Sequence, residues 1–138
     1  MRLRILTPEK NLFDGEVDRV LLPGEDGGFE VLKDHAPILS SLVPGEVRVA
    51  VGKKESPYFV SGGFFEFAHN QGIILADTAE TPAEIKVDRA KAALERAEKR
   101  LQESKVREID MIRAQQALLR AISRLRFAGK YGAPSASE

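Results

Sequence analysis

A chain of 138 residues, 43% hydrophobic and 30% charged, has room for one ordinary core and an appendage but not for two large cores. The absence of cysteine excludes disulfides, thiolate metal sites and cysteine nucleophiles, and no apolar run approaches the roughly 18 residues a membrane-spanning helix needs. A formal net charge of zero hides an asymmetry: residues 1–85 carry 8 Lys/Arg against 14 Asp/Glu, net −6, whereas residues 86–126 carry 12 against 6, net +6.

Short apolar or alternating runs recur at residues 2–6, 16–22, 29–32, 38–42 and 46–51, separated by Pro8, Pro23-Gly24, Gly27-Gly28, Pro44-Gly45 and Gly52. Residues 58–60, 64–69 and 73–76 continue the series, with Gly62-Gly63 and Asn70-Gln71-Gly72 supplying turns where positive φ is cheap. Val47, Val49 and Val51 alternate with Glu46, Arg48 and Ala50, the pattern of a strand with one buried face. Eight strands at this spacing predict an antiparallel β-sandwich over residues 1–84.

From Ile85 the period changes. Val87, Ala90, Leu94, Ala97 and Leu101 step by three and four along one helix face, and Met111, Ala114, Leu118, Ala121 and Leu125 repeat the steps. Alanine lets helix backbones approach closely, so the two matched seams predict an antiparallel α-helical hairpin over residues 85–128. No Gly or Pro lies between Ala83 and Ala128, and nothing covalent forces a turn at residues 102–107. Straightened into one helix, the stretch would reach roughly 70 Å at about 1.5 Å per residue. Residues 129–138 regain Gly, Pro and Ser and read as a flexible tail. The fold class is therefore α+β in two parts.

Few residues offer chemistry. The stretch Gly24-Glu25-Asp26-Gly27-Gly28 lacks the Lys-Ser/Thr of a phosphate-cradling loop and carries two acids, so it reads as a turn. His35 and His69 lack zinc-ligand spacing, and Glu66 and Asp77 are the one candidate carboxylate pair for acid/base work. The basic helices interleave Lys and Arg with Glu95, Glu98, Glu103 and Glu108 and hold no aromatic before Phe127, which argues against nucleic acid. Their net positive charge suits an acidic protein surface.

At Asp34-His35-Ala36-Pro37-Ile38-Leu39, followed by Val43-Pro44-Gly45, then Ser61-Gly62-Gly63-Phe64 and Leu75-Ala76-Asp77-Thr78-Ala79-Glu80, the chain resembles the epsilon subunits of bacterial F-type ATP synthases. The resemblance implies a non-catalytic central-stalk subunit that touches the gamma subunit and the polar loops of the c-ring. It implies a place on the cytoplasmic face of the bacterial membrane as a peripheral part of the complex, with no membrane insertion of its own. It also implies that ion-driven rotation is coupled to ATP synthesis through this subunit, and that a mobile C-terminal hairpin inhibits hydrolysis. By the same resemblance Gly27, Gly28, Glu30, Asp34, His35, Ala36 and Pro37 form the rotor-contact surface. Some members place a Glu directly after the glycine matching Gly27, where this chain has Gly28.

Some bacterial epsilon subunits bind ATP at the hairpin through a motif of Ile or Leu, Asp, two variable residues and Arg-Ala. Here it reads Ile85-Lys86-Val87-Asp88-Arg89-Ala90, with Lys86 in place of the acid. The residues the resemblance implies for regulatory ATP, which is not a required cofactor, are Glu80, Ile85, Arg89, Ala90, Arg96, Arg120 and Arg124. In an extended arm, Arg113, Arg120, Arg124 and Arg126 would meet acidic loops of the catalytic β subunits. Two other readings stay open at this point: an unrelated β-sandwich adaptor whose basic helices grip an acidic protein, and an enzyme built on Glu66, Asp77 or a histidine.

Overall fold

The computed structural model describes residues 1–103 and 108–132. The chain divides into two compact units, Met1–Thr81 and Pro82–Glu138.

Ten strands make up the first unit: β1 (Arg2–Leu6), β2 (Asn11–Glu16), β3 (Arg19–Gly24), β4 (Gly27–Leu32), β5 (Ile38–Leu42), β6 (Gly45–Val51), β7 (Lys54–Val60), β8 (Gly63–Ala68), β9 (Gln71–Ala76) and β10 (Ala79–Glu80). Pairing runs β4-β3-β6-β7-β10 in one layer and β5-β8-β9-β1-β2 in the other. The two layers join through a single residue pair, Gly24 with Leu42. Every pairing is antiparallel except β1 against β9, which is parallel.

Alternation decides what each strand buries. Leu3 and Ile5 of β1, Val20 and Leu22 of β3, Val47 and Val49 of β6, Phe65 and Phe67 of β8 and Ile74 of β9 all enter one core. Burying each large apolar side chain contributes about 1.5–3 kcal/mol. Phe65 stacks on Phe67 at 6.4 Å and meets Phe29 at 6.1 Å between centroids. Val51, expected beside Val47 and Val49, is 50% exposed because it is the last residue before the turn at Gly52.

Two strands escaped the sequence reading. β2 is a half-exposed edge held to β1 by a two-pronged Arg2–Asp14 pair, 2.9 Å at each contact. Those hydrogen bonds from Arg2 hold the Asp14 carboxyl below the ordinary carboxylate range. β10 is two residues long and pairs only with Val60 and Phe59 of β7.

In the second unit a 3-10 turn (Pro82–Glu84) precedes α1 (Val87–Gln102) and α2 (Glu108–Tyr131). The turn touches α2, so the unit begins at Pro82 and not at residue 85. The helix also outlasts the end read at residue 128. Gly129 costs about 1 kcal/mol inside a helix, but Phe127 and Tyr131, one turn apart, pair their rings at 4.9 Å and Lys130 lies 5.3 Å from the Tyr131 ring. Gly132, at φ 64°, takes the left-handed conformation that ends helices. Residues 133–138 of the expected tail, and residues 104–107 of the expected join, lie outside the described residues.

Gly63 sits at φ 143°, and a Cβ there would collide with the Leu75 carbonyl oxygen and the Ala76 backbone. Gly63→Ala should therefore cost about 2–4 kcal/mol, combining backbone strain and overpacking. Urea unfolding of wild type and variant measures it; a loss under about 0.5 kcal/mol, the scale of ordinary surface substitutions, would contradict this packing.

Candidate functional site

The helical seam is made of alanine. Ala90 and Ala97 of α1 are each 3% exposed and Ala114 and Ala121 of α2 each 1%, whereas Leu94, Leu101, Leu118 and Leu125 are only half-buried beside them. Met111 is 38% exposed, so the seam stops short of the first turn of α2.

Small side chains leave room on one side of the pair. A groove of about 240 Å³ runs between the helices, floored by Ala93, Ala97, Ala114, Ala117 and Ala121 and walled by Arg96, Arg100, Arg120 and Arg124. Positions 93, 96, 97 and 100 form one stripe of α1, and 114, 117, 120, 121 and 124 form one stripe of α2. Arg120 and Arg124 are half-buried, Arg96 and Arg100 exposed. Among the described residues Arg96, Arg100 and Arg120 make no side-chain ion pair with an acid. Four guanidinium groups around an apolar floor suit a ligand carrying several negative charges, because each planar fork can donate two hydrogen bonds to a phosphate.

The groove brings together Arg96, Arg120 and Arg124 of the expected set. Ile85 is buried ahead of α1, Ala90 is buried in the seam, and Arg89 is exposed; none of the three lines the groove. Glu80 lies on β10 in the first unit. Arg100 was missed, although its position four residues after Arg96 places it on the same helix face.

Lys86, at the position of the motif's acid, is the N-cap of α1: its carbonyl accepts the Ala90 N–H at 3.0 Å and its side chain makes no cap hydrogen bond. A carboxylate there would accept an orphan helix N–H and complement the positive helix end, whereas an ammonium does neither.

The four arginines expected to act together in an extended arm do not share a face. Arg113, Arg120 and Arg124 lie on one side of α2, while Arg126, two residues beyond Arg124, is rotated by about 200°. Arg126 points with Ile112, Leu119 and Ile122, which are 47%, 48% and 37% exposed and form a second apolar face on α2 away from the alanine seam.

The expected rotor-contact residues also divide. Gly27 and Gly28 open β4 beside the turn at Glu25-Asp26, whereas Asp34, His35, Ala36 and Pro37 follow its other end, roughly 17 Å away at about 3.3 Å per residue. Between them Glu30 lies 3.4 Å from Arg19 across the β3–β4 hairpin. All seven residues are exposed. His35 stands edge-on to Phe67, 6.0 Å between centroids, with Nδ1 2.7 Å from the Ala36 carbonyl oxygen.

Glu66 and Asp77 do not form a pair. Glu66 lies opposite Ile73 on β9, and Asp77 follows four residues later, beyond the end of that strand. The described residues therefore hold no facing carboxylates at these positions.

Comparison with known proteins decides among the readings. The ATP synthase, Delta/Epsilon chain, beta-sandwich domain matches residues 1–82, and the long alpha-helix domain of the same chain matches residues 83–129. The chain belongs to the ATP synthase delta/epsilon family. It is 49% identical over 127 residues to the ATP synthase epsilon chain of Desulforamulus reducens, covering 92% of this chain and 96% of that protein. With the epsilon chain of Syntrophobacter fumaroxidans it shares 47% identity over 130 residues, 94% of this chain and 96% of that protein. A chain of the Euglena gracilis mitochondrial ATP synthase shares the fold, with a TM-score of 0.74 at 23% identity over 94% of this chain and 79% of that one. Membership of the delta/epsilon family removes the unrelated adaptor, and the separation of Glu66 from Asp77 takes away the carboxylate pair on which the enzyme reading leaned.

Lys86→Asp should stabilise the helical unit by about 1 kcal/mol, because it supplies the missing cap and removes a cation from the positive helix end. Thermal unfolding followed at the helix signal should show the gain; an unchanged or lowered midpoint would contradict the assignment of residue 86 as the N-cap.

Proposed function

We propose that this chain is a non-catalytic rotor subunit of the ATP synthase central stalk, in which the sandwich couples the c-ring to the gamma subunit and the helices act as a conditional brake on hydrolysis. The observation that carries the brake is the second apolar face of α2. Ile112, Leu119 and Ile122 are exposed while the opposite side of the same helix is closed over α1. A helix with apolar residues on two sides has a use for each, and one hairpin covers only one of them.

In the folded state α1 covers the alanine seam of α2. In the extended state α2 reaches toward the catalytic head, where its apolar side meets protein and Arg113, Arg120 and Arg124 meet acidic loops of the β subunits. The c-ring, gamma and β subunits enter as partners because relatives named ATP synthase epsilon chain match nearly end to end and a structural neighbour belongs to an assembly described as OSCP/F1/c-ring. Among the described residues no helix is long and apolar enough to cross a membrane, which fits a peripheral place on the cytoplasmic face.

ATP is the ligand proposed for the arginine groove. Its phosphates would bridge Arg96 and Arg100 of α1 to Arg120 and Arg124 of α2, so a molecule bound there requires both helices to be side by side and favours the folded state. The lining offers only alanine and arginine, with no aromatic ring or carboxylate to select a purine. Affinity therefore comes from the phosphates.

Two measurements test this reading. An epsilon-free catalytic head should bind both the full chain and a chain ending at residue 85, but only the full chain should slow hydrolysis; equal slowing by both would remove the brake from the helices. Calorimetry of the full chain should show ATP and GTP binding about equally, and Arg96→Ala with Arg120→Ala together should weaken either by at least about tenfold, since charge-assisted hydrogen bonds contribute roughly 1.5–3 kcal/mol each. Unchanged affinity in that double variant would place the nucleotide elsewhere.

A further inference from the structure

The sandwich carries one strained junction that neither the groove nor the core requires. Among the described residues the non-glycine residues with positive φ are Asp34 at 67°, His69 at 52° and Asn70 at 57°. All three lie where the β4–β5 connection meets the β8–β9 turn. His69 and Asn70 are the two turn residues of the β8–β9 hairpin, which requires positive φ at both, so Asp34 is the one whose conformation needs a holder from elsewhere.

What holds it here is a reciprocal pair spanning 36 positions of sequence. The Asp34 backbone N–H donates to Asn70 Oδ1 at 2.6 Å, and Asn70 Nδ2 donates back to Asp34 Oδ1 at 2.8 Å. Asn70 is itself anchored to the sheet, because its carbonyl accepts the Arg2 N–H at 3.0 Å. On the other side the His35 N–H donates to the Leu32 carbonyl at 3.1 Å, and the His35 ring rests edge-on against Phe67. The turn at 33–37 is thus tied at both ends while all five of its residues remain exposed.

We propose that Asn70 is a positioning residue for rotor docking: its amide clamps Asp34 and so presents the exposed turn at 33–37 to the c-ring in one preformed shape. The proposal rests on the reading of that turn as a rotor contact. A loop already fixed in its bound shape loses less conformational freedom on docking, so the clamp adds affinity although Asn70 itself need not touch the ring.

Charge exchange gives the test. Asn70→Asp sets a second carboxylate against that of Asp34, and two acids sharing one site repel. Asp34→Asn added to Asn70→Asp rebuilds an amide–carboxylate pair with the roles reversed and restores the original charge. The probe is the detergent-solubilised c-ring of the cognate synthase binding the full chain, read beside amide exchange at His35. The N70D chain should exchange faster at His35 and bind the ring about tenfold more weakly, the scale of one lost charge-assisted hydrogen bond; the N70D/D34N chain, which also alters the rotor-contact residue Asp34, should recover the slow exchange, and Asn70→Gly, which removes the amide where positive φ is allowed, should weaken ring binding as N70D does.

Faster exchange at His35 with ring binding as in wild type would overturn the positioning role while leaving the rotor contact standing. Ring binding lost in N70D but kept in the uncharged Asn70→Gly chain would assign the effect to added charge, and fast exchange that the double variant does not slow would assign it to damaged folding; either would overturn the clamp. A wild-type chain that ignores the ring would instead overturn the rotor-contact reading beneath the proposal.

Discussion

The helical unit depends on close backbone approach through alanine: Ala90 and Ala97 of α1 and Ala114, Ala121 and Ala128 of α2 are buried, joined only by Ile85 and Phe127, while the leucines beside the alanines are half-buried. Alanine makes a seam tight but cheap to open, because each methyl removes far less apolar surface from water than a leucine would. The same small side chains leave the groove whose walls are four arginines. Weak closure and the proposed anion binding thus have one origin, and a ligand that bridged the walls would add to an attraction that is modest without it.

The sandwich is built on a different principle. Its core is closed by large side chains, Phe65, Phe67, Leu3, Ile5 and Ile74, each with essentially no exposure, and close packing of this kind leaves little room for a second arrangement. One unit is therefore suited to carry load and display fixed loops, the other to change partners. The charge division follows the same line, since the acidic excess lies in residues 1–85 and the basic excess in residues 86–126. A basic helical unit is attracted to acidic protein surfaces over a distance set by salt, about 8–10 Å at physiological ionic strength.

Much of this was legible because period and punctuation agree with the fold. The alternation at Val47 and Val49, the glycine pair at Gly62-Gly63 and the three-four stepping of the alanines each reflect a local rule acting on a buried face. β2 was not legible, because Asp14 and Gly15 after Leu12 and Phe13 leave no apolar alternation and the strand is secured by the distant Arg2. The parallel pairing of β1 with β9 joins segments about seventy residues apart, and no local pattern encodes it. At the helix end, Gly129 looked like a stop, yet Gly132 has the left-handed φ and the Phe127–Tyr131 contact carries the helix past Gly129. For the groove, the family resemblance brought Arg96, Arg120 and Arg124 into view. Helix spacing applied one turn beyond Arg96 would have found Arg100, and applied to α2 would have set Arg126 apart.

The central claim is that α1 and α2 exchange between a closed hairpin and an extended arm, with nucleotide favouring closure. The chain lacks native cysteine, so spin labels at cysteines replacing the exposed residues Lys91 and Gln116 report one distance within the assembled ATP synthase. Packed helices place those positions about 10–20 Å apart, whereas a continuous helix separates them by roughly 38 Å at about 1.5 Å per residue. The account predicts both distances without nucleotide and a shift to the short one when ATP is added. A single short distance, unchanged by ATP and present while hydrolysis is inhibited, would contradict it.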